Sequence, residues 1–376
     1  MMTLSDLPRD LLREILSRVP LTSLRSVRCT CKTWNALSKA HIFGKAAVAS
    51  RRQFWGFITI DSKVCSLRFD LQGISNEDFA DPSIKQITIL NQVEISNVFH
   101  CEGLLLCVTK DYSRLVVWNP YLGQTRWIQP TFIGYNMYAL GYDNNNRNHK
   151  ILRILDNYFY IDSKKAPHLW FEIYDFNSNS WRVLDVNPDL YIHQSYVSLK
   201  GNTYFSVQEN ISEDEEIPTK MGNYLLCFDF TLERFGPPLP LPFHSYLGEV
   251  VTLSCVREEQ VAVLYQSVES IEIWITSKIE PNAVSWSKFL KVDITPHNGF
   301  PNDFEAESFF IDEEKKVIVA SDINIYEPNN CYQLAYITGE DGHFKSVEIR
   351  EAQSLGKTRC YYTPMFSSYA PSLVQL

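Results

Sequence analysis

The chain has 376 residues, of which 45% are hydrophobic, 21% charged and 13% aromatic, a composition that excludes a disordered protein and predicts two or three domains. No stretch reaches the roughly 18 apolar residues that a membrane-spanning helix needs, and the N-terminus lacks a secretory pattern. The nine cysteines, odd in number and widely spread, indicate reduced intracellular thiols rather than a disulfide framework. We therefore expect a protein of the cytoplasm or nucleus, without a membrane partner.

The net charge of −9 is unevenly distributed along the chain. Residues 1–52 contain ten lysines and arginines against three acidic residues, whereas the remainder contains 25 basic residues against 41 acidic ones. This division indicates two modules with different partners. A basic segment suits either nucleic acid or an acidic protein partner, and the helical pattern decides between them.

The first predicted element is an amphipathic helix over residues 5–19, with Ser5 or Asp6 as its N-cap and Pro20 after its end. Its apolar residues recur at steps of three and four, and charged residues fill the opposite face. A short second helix is predicted over residues 21–26 and a third over 27–37. Because so small a trio cannot bury all of its apolar surface internally, another chain is expected to cover part of it.

The segment from Leu7 to Pro20, followed by Leu24, residues 28–34 (RCTCKTW) and Phe43, closely resembles the F-box. The resemblance covers residues 4–44 and implies that this module binds a Skp-type adaptor, which links it to a cullin scaffold. The adaptor-facing residues that it implies are Leu7, Pro8, Leu11, Leu12, Ile15, Leu16, Leu24 and Val27. The residues expected to hold the three helices together are Val19, Cys31 and Trp34.

Two other interpretations of these helices remain open. The amphipathic helix can form one face of a larger core within the same chain. The basic helices can also form a helix-turn-helix in which Arg25, Arg28 and Lys32 contact phosphates. The polar face lacks a base-reading set and the rest of the chain is acidic, so we expect no nucleic-acid partner.

After residue 52, short alternating or apolar runs separated by turn-rich stretches predict an all-β domain. An aromatic residue recurs at intervals of 51 to 58 residues, at Trp127, Trp181, Phe235, Trp286 and Phe344. A period near 50 with several strands per unit predicts a β-propeller of kelch-like blades, in which the repeated aromatics pack one blade on the next. Five units are visible, and residues 53–90 together with the tail 361–376 are candidates for a sixth that closes the ring.

The segments 101–107, 118–128 and 140–154 are similar to the F-box-associated domain of plant F-box proteins, and the similarity extends over most of residues 95–350. The absence of a Gly-Gly doublet favours this family over kelch proteins proper. The predicted fold is therefore α+β with two domains. Residues 1–48 form a three-helix F-box, and residues 49–376 form an all-β, kelch-like propeller of about six blades.

The chain shows no catalytic or metal-binding pattern. Its eight histidines are scattered, no Cys-x-x-Cys pair occurs, and no Gly-x-Ser-x-Gly elbow, Walker loop or kinase signature is present. Copper ligands that lie far apart in the sequence would escape this search. We expect no catalytic residue, no metal and no cofactor.

The resemblance implies a substrate-recognition subunit of an SCF-type (Skp–cullin–F-box) ubiquitin ligase, which recruits a protein target, still unidentified, for ubiquitination and proteasomal degradation. We expect the target to bind loops at one end of the β domain, of which the longest are Asn157–Pro167, Gln208–Gly222 and Thr295–Glu305. Phe300 and Phe304 in the third loop are predicted as exposed anchors for the target. Two alternatives stay open: a binding module unconnected with degradation, and a receptor gated by a small molecule in the propeller channel.

Overall fold

The computed structural model of the protein describes the larger part of the β domain and a few residues before it. The described residues are 11, 27, 32, 34–36, 53–60, 62–70, 83–87, 90, 93–134, 136–156, 169–209, 222–246, 249–294, 300–301, 304–324, 331–340, 344–352, 369 and 371–376. Most of the predicted three-helix module therefore lies outside the described residues. Leu11, Val27, Lys32 and residues 34–36 each have a helical backbone.

The described part of the β domain consists of antiparallel sheets that follow one another along the chain. Sheet 1 contains Gln53–Ile60 (β1), Lys63–Asp70 (β2) and Ser83–Gln86 (β3); sheet 2 contains Ile95–Cys101 (β4), Leu104–Thr109 (β5), Leu115–Asn119 (β6) and Gln124–Ile128 (β7). Sheet 3 contains Met137–Tyr142 (β8), His149–Asp156 (β9), Leu169–Asp175 (β10) and Ser180–Leu184 (β11). These strands match the alternating and apolar runs from which an all-β domain is predicted.

The second half of the domain continues the same pattern. Sheet 4 contains Leu190–Leu199 (β12), Asn202–Glu209 (β13), Asn223–Asp229 (β14), Arg234–Phe235 (β15) and Leu239–Pro240 (β16). Sheet 5 contains Val250–Val256 (β17), Gln260–Gln266 (β18), Ser270–Glu280 (β19) and Ala283–Asp293 (β20); sheet 6 contains Ser308–Asp312 (β21), Val317–Asn324 (β22), Cys331–Gly339 (β23) and Phe344–Ala352 (β24). Five of the sheets thus have at least four strands, which is the make-up of a complete propeller blade.

The first strands of neighbouring sheets contact one another, which places them innermost: β4 contacts β8, β8 contacts β12, β12 contacts β17 and β17 contacts β21. Apolar clusters fill the junctions between the sheets. Phe171 of sheet 3, for example, meets Phe235 of sheet 4 edge-on, with ring centroids 5.3 Å apart. The core of this all-β propeller is therefore divided among the faces between adjacent blades.

The repeated aromatic residues lie at equivalent places in the propeller. Trp127, Trp181, Phe235, Trp286 and Phe344 stand on β7, β11, β15, β20 and β24, which are fourth strands of their sheets. Trp181 donates from Nε1 to the carbonyl of Gln129 (2.9 Å), just beyond sheet 2, and Trp286 donates to the carbonyl of Pro240 in sheet 4 (3.0 Å). The prediction that these aromatics join one blade to the next is confirmed for Trp181 and Trp286.

The described end of the C-terminal tail packs on sheet 2, while residues 361–368 and 370 of the predicted tail lie outside the described residues. The Asn119 side chain, fully buried, donates to the carbonyls of Ser372 (3.1 Å) and Val374 (2.8 Å). The Tyr369 ring meets Phe57 of sheet 1 edge-on, and its hydroxyl donates to the Gly103 carbonyl of sheet 2 (3.3 Å). The described tail residues, 369 and 371–376, are not in a strand, so they bridge sheets 1 and 2 instead of supplying an edge strand.

Candidate functional site

The topology divides the connections of the propeller between its two ends. Turns between first and second strands, and between third and fourth strands, lie at one end, which we call the turn face. Connections between second and third strands, and between one sheet and the next, lie at the other end, which we call the loop face. Its described segments include residues 93–94, 110–114, 129–134, 185–189, 241–246 and 267–269. Because these connections are longer, the loop face has more freedom to carry a binding site.

The three long loops predicted to bind a target all belong to the loop face. Asn157–Pro167 joins β9 to β10, Gln208–Gly222 spans the connection from β13 to β14, and Thr295–Glu305 lies between sheets 5 and 6. Residues 157–168, 210–221, 295–299 and 302–303 lie outside the described residues. The topology therefore brings the three stretches to one end of the domain.

The prediction that Phe300 and Phe304 are exposed is wrong. Only 3% of Phe300 and 4% of Phe304 is exposed, and their ring centroids lie 5.1 Å apart. Both rings also pack on Tyr336 of sheet 6. An aromatic pair in a loop between two blades has apolar surface to bury on both sides, and here it fills the junction between sheets 5 and 6.

Four large apolar side chains are instead exposed around the junction of sheets 2 and 3. Phe132 and Ile133, in the connection between these sheets, are 64% and 69% exposed, and Trp170 and Val183 are 55% and 59% exposed. Trp170 and Glu172 are two residues apart on β10, and Val183 on β11 is the direct neighbour of Glu172. Since side chains alternate along a strand, all three point to the same side of sheet 3. We call Phe132, Ile133, Trp170 and Val183 the apolar patch.

A buried ion pair lies beneath this patch. Nη1 of Arg153, on β9, is 3.0 Å from Oε2 of Glu172, and the two residues are direct neighbours in the ladder. Nη1 also donates to the Thr131 hydroxyl (2.7 Å), which donates in turn to Glu172 Oε2 (2.7 Å). Nη2 of Arg153 donates to the Phe132 carbonyl (2.7 Å). The patch segment 131–132 is therefore fixed to the sheet by charge-assisted hydrogen bonds.

The loop face is acidic. Its described connections and strand ends carry ten acidic residues against the two basic residues Lys110 and Arg114. The acidic residues are Glu94, Asp111, Asp185, Asp189, Glu209, Glu249, Glu269, Asp293, Glu305 and Glu307. Burial, with a smaller contribution from Glu305, raises the pKa of Glu307 from 4.5 to about 7. The sum of these charges makes a negative potential at this end of the propeller.

The turn face carries charges of both signs that are joined in pairs. Arg147 lies 3.6 Å from Glu102, Arg257 lies 2.7 Å from Glu313, and Lys316 pairs with Glu340. The buried Lys150 amino group lies 2.8 Å from Glu233, which also pairs with Arg182. Charge is thus largely compensated within this face, whereas the loop face has a strong excess of one sign.

The described cysteines and buried histidines are unsuited to acid–base or nucleophilic chemistry. Burial raises the pKa of Cys227 and of Cys255 to about 12, and also raises the pKa of Cys101, so these groups stay protonated thiols. Burial lowers the pKa of His100 to about 4, and its neutral Nε2 accepts from the Gly103 N–H (2.9 Å). Among the described residues, no group of His, Cys, Asp and Glu has the geometry of a metal site, and no helix is long and apolar enough to cross a membrane.

Few of the predicted adaptor-binding residues fall on described positions. Leu7, Pro8, Leu12, Ile15, Leu16 and Leu24, with Val19 and Cys31 of the predicted helical core, lie outside the described residues. Leu11 is helical and 52% exposed. Trp34 is buried in the cluster between sheets 1 and 2, which also contains Phe57 and Trp118, and Val27 packs against the same cluster. The third predicted helix therefore contacts the propeller, a relationship that periodicity alone does not reveal.

Comparison with known protein families assigns both modules of the chain. Residues 4–45 match the family described as F-box domain, and residues 56–376 match the family described as F-box associated beta propeller domain. The chain belongs to the F-box proteins. Members of this family that combine an F-box with a propeller are typically non-catalytic adaptors.

Curated relatives match this F-box protein over their full length. F-box protein At1g59680 of Arabidopsis thaliana is 57% identical, covering 100% of this chain and 98% of the relative. The F-box/kelch-repeat protein At3g13680 of the same plant is 55% identical, covering 100% and 97%. Among solved structures, TolB from Acinetobacter baumannii has a TM-score of 0.44 and 12% identity, over 88% of this chain and 72% of that one.

Proposed function

We propose that this F-box protein is the substrate-recognition subunit of an SCF-type ubiquitin ligase, acting in the cytoplasm or nucleus. The observation that supports it is the presence in one chain of an F-box match at residues 4–45 and a propeller whose loop face carries an exposed apolar patch. The first module attaches the protein to an adaptor, and the second holds a target.

The adaptor-binding surface in this proposal consists of the apolar residues carried over from the F-box. These are Leu7, Pro8, Leu11, Leu12, Ile15, Leu16 and Leu24, whereas Val27 packs against the propeller cluster that contains Phe57 and Trp118. The adaptor-facing residues bind a Skp-type adaptor, and through it a cullin scaffold. The F-box match over residues 4–45 supports this role, and the Leu11 side chain within it is half exposed.

The reaction itself takes place elsewhere in the assembly. The receptor holds its target close to a ubiquitin-conjugating enzyme on the same scaffold, and this raises the effective concentration of the target lysines. The protonated thiols and neutral buried histidines described above support a receptor without a catalytic step of its own.

We infer six blades for the propeller that holds the target. Sheets 2 to 6 have at least four strands each, and sheet 1 has three described strands. Ile58 and Leu67 of sheet 1 share an apolar cluster with Val319 and Ile337 of sheet 6, while Phe57 of sheet 1 packs on Trp118 of sheet 2. These contacts of sheet 1 with both sheet 6 and sheet 2 support a ring that closes with six blades.

Co-expression with a Skp-type adaptor, followed by size-exclusion chromatography, tests the adaptor step. The variant Leu11→Asp/Ile15→Asp/Leu16→Asp is compared with the wild type, since three carboxylates at an apolar interface oppose association. Val27 and Trp34 are left unchanged because both contact the propeller. We expect wild type to co-elute with the adaptor and the variant to elute alone with an unchanged β-sheet circular dichroism spectrum. A folded wild type that elutes without the adaptor contradicts the proposal.

Reconstitution with cullin, RING protein, ubiquitin-conjugating enzyme and ubiquitin tests the ligase step. We expect adaptor-dependent ubiquitination of the receptor itself or of a bound protein, and no such product with the triple variant. Adaptor binding without any ubiquitin transfer indicates the non-degradative binding module instead.

A further inference from the structure

We propose that the apolar patch is the anchor of the target site, and that it takes a basic protein segment with a large apolar side chain. This inference rests on the proposed function, because it names the kind of target that the receptor holds. The patch is exposed, its support is rigid, and the surface around it is acidic.

The four patch residues are exposed in a way that a monomer does not require. Large apolar side chains that are grouped together and more than half exposed mark interaction sites, whereas single ones are ordinary. Phe132 and Ile133 are adjacent in sequence, and Trp170 and Val183 flank Glu172 on the same side of sheet 3. Aromatic residues at the centre of an interface supply much of its affinity, and Phe132 and Trp170 suit that role.

The support beneath the patch is preformed. Arg153 is fully buried, and its guanidinium binds Glu172, the Thr131 hydroxyl and the Phe132 carbonyl at once. The Asn136 side chain donates to the Gly134 carbonyl (2.7 Å), which closes the other end of the same segment. A surface whose backbone is already fixed loses little conformational entropy when a partner binds, and this favours affinity.

The charge around the patch selects the partner. Exposed Asp185 follows β11 two residues after Val183, and exposed Asp189 precedes β12. Lys110 and Arg114 are the basic residues among the described connections of the whole face. Such a surface attracts lysine- and arginine-rich segments and repels the phosphates of nucleic acids and anionic membranes. The occupant is therefore a cationic stretch of protein.

Selection from a random 12-residue peptide display library tests this proposal. The bait is the full chain in complex with its Skp-type adaptor. Three variants are compared with the wild type: Phe132→Asp/Ile133→Asp in the patch, Asp185→Lys/Asp189→Lys beside it, and Leu232→Asp as a matched control. Leu232 is 56% exposed in the turn between β14 and β15, at the turn face.

We expect the wild type to enrich peptides with net positive charge and at least one aromatic or large aliphatic residue. Synthetic peptides of the enriched sequences should bind the patch variant at least about tenfold more weakly and the charge-reversed variant about tenfold more weakly. Binding to Leu232→Asp should be unchanged, and salt should weaken binding to the wild type. Melting temperatures of all complexes are measured alongside, so that loss of folding is recognised.

Several results overturn the proposal. These are the absence of enriched peptides, enrichment of neutral or acidic peptides, and enrichment that survives in the patch variant. Dimerisation of the wild-type complex that the patch variant abolishes makes a second copy of the chain the occupant, and also overturns it. Adaptor co-elution is recorded for every variant, so that failure of the proposed function is seen as loss of the complex, while failure of this inference leaves the complex intact.

Discussion

The Arg153 guanidinium and the Glu172 carboxylate lie 3.0 Å apart within sheet 3, and both side chains are buried. A buried ion pair adds little net stability compared with apolar residues of the same size, because both charges lose their hydration. Its effect here is geometric, since the same guanidinium holds the Phe132 carbonyl. The buried ion pair thus fixes the backbone that carries the exposed patch.

Replacing Arg153 by Met should lower the free energy of unfolding by about 3–5 kcal/mol, because the Glu172 carboxylate is left buried without its cation. Urea denaturation at neutral pH measures the loss. The matched control is Lys278→Met, which breaks an ion pair with Glu280 in which both side chains are exposed, and it should cost less than about 1 kcal/mol. Equal losses in the two variants would show that Arg153 is not held as the structure places it.

Phe304→Ala should destabilise the protein by about 3–5 kcal/mol, since the ring fills the junction between sheets 5 and 6. Phe132→Ala, at an exposed position, should change the free energy of unfolding by less than about 0.5 kcal/mol. Thermal denaturation followed by circular dichroism compares the two. A larger loss of stability in Phe132→Ala than in Phe304→Ala would show that Phe304 is a surface residue.

Glu307→Gln should make the protein more stable at pH 8 than the wild type. Burial raises the pKa of Glu307 from 4.5 to about 7, and its buried Oε2 has no hydrogen-bond partner among the described residues. Its favourable contribution is fully present below about pH 4.5, where the carboxyl is protonated in both states, and is lost as the pH rises through about 7. The stability difference between variant and wild type should thus reach about 3 kcal/mol at pH 8 and shrink to about 1 kcal/mol at pH 5.

Urea denaturation of both proteins at pH 5, 6, 7 and 8 measures that difference. The buried histidines, whose pKa values burial lowers, act in the opposite direction but equally in both proteins, so they cancel. If the difference in free energy of unfolding between variant and wild type stays constant with pH, the Glu307 carboxyl is solvated and its pKa is not raised.

Asn119→Ala should release the C-terminal tail from sheet 2. The Asn119 amide donates to the carbonyls of Ser372 and Val374, and its removal leaves both without this partner. We expect faster amide hydrogen exchange of residues 371–376 and a loss of about 1–3 kcal/mol in stability. Gln124→Ala, which removes a more exposed contact with Gln375 and Leu376, is the control and should have the smaller effect.

The period of the propeller could be predicted from the sequence because an aromatic residue marks the fourth strand of each of sheets 2 to 6. Trp181 and Trp286 contact the preceding blade as that periodicity requires. The position of Phe300 and Phe304 could not be predicted in this way. A loop has no periodicity that distinguishes a buried ring from an exposed one, and burial here depends on Tyr336, which is distant in sequence.

The apolar patch could not be predicted from the sequence for a similar reason. Phe132 and Ile133 are ordinary apolar residues near a strand in the sequence, and only their exposed fractions in the folded chain show that they face outward. Arg153 stands within the apolar run 150–155 of β9, where an arginine is unusual. Glu172 stands in the same way within the apolar run of β10, and these two charged residues are the sequence signal of a buried ion pair.

The burial of Trp34 between sheets 1 and 2 has a consequence for how lysines are chosen. In the proposed receptor, this contact would restrict how a captured protein is oriented relative to the scaffold. Lysines on the side of the target that faces the ubiquitin-conjugating enzyme would then be modified preferentially. Loosening this contact by Trp34→Ala should broaden the set of modified lysines without changing which protein is captured.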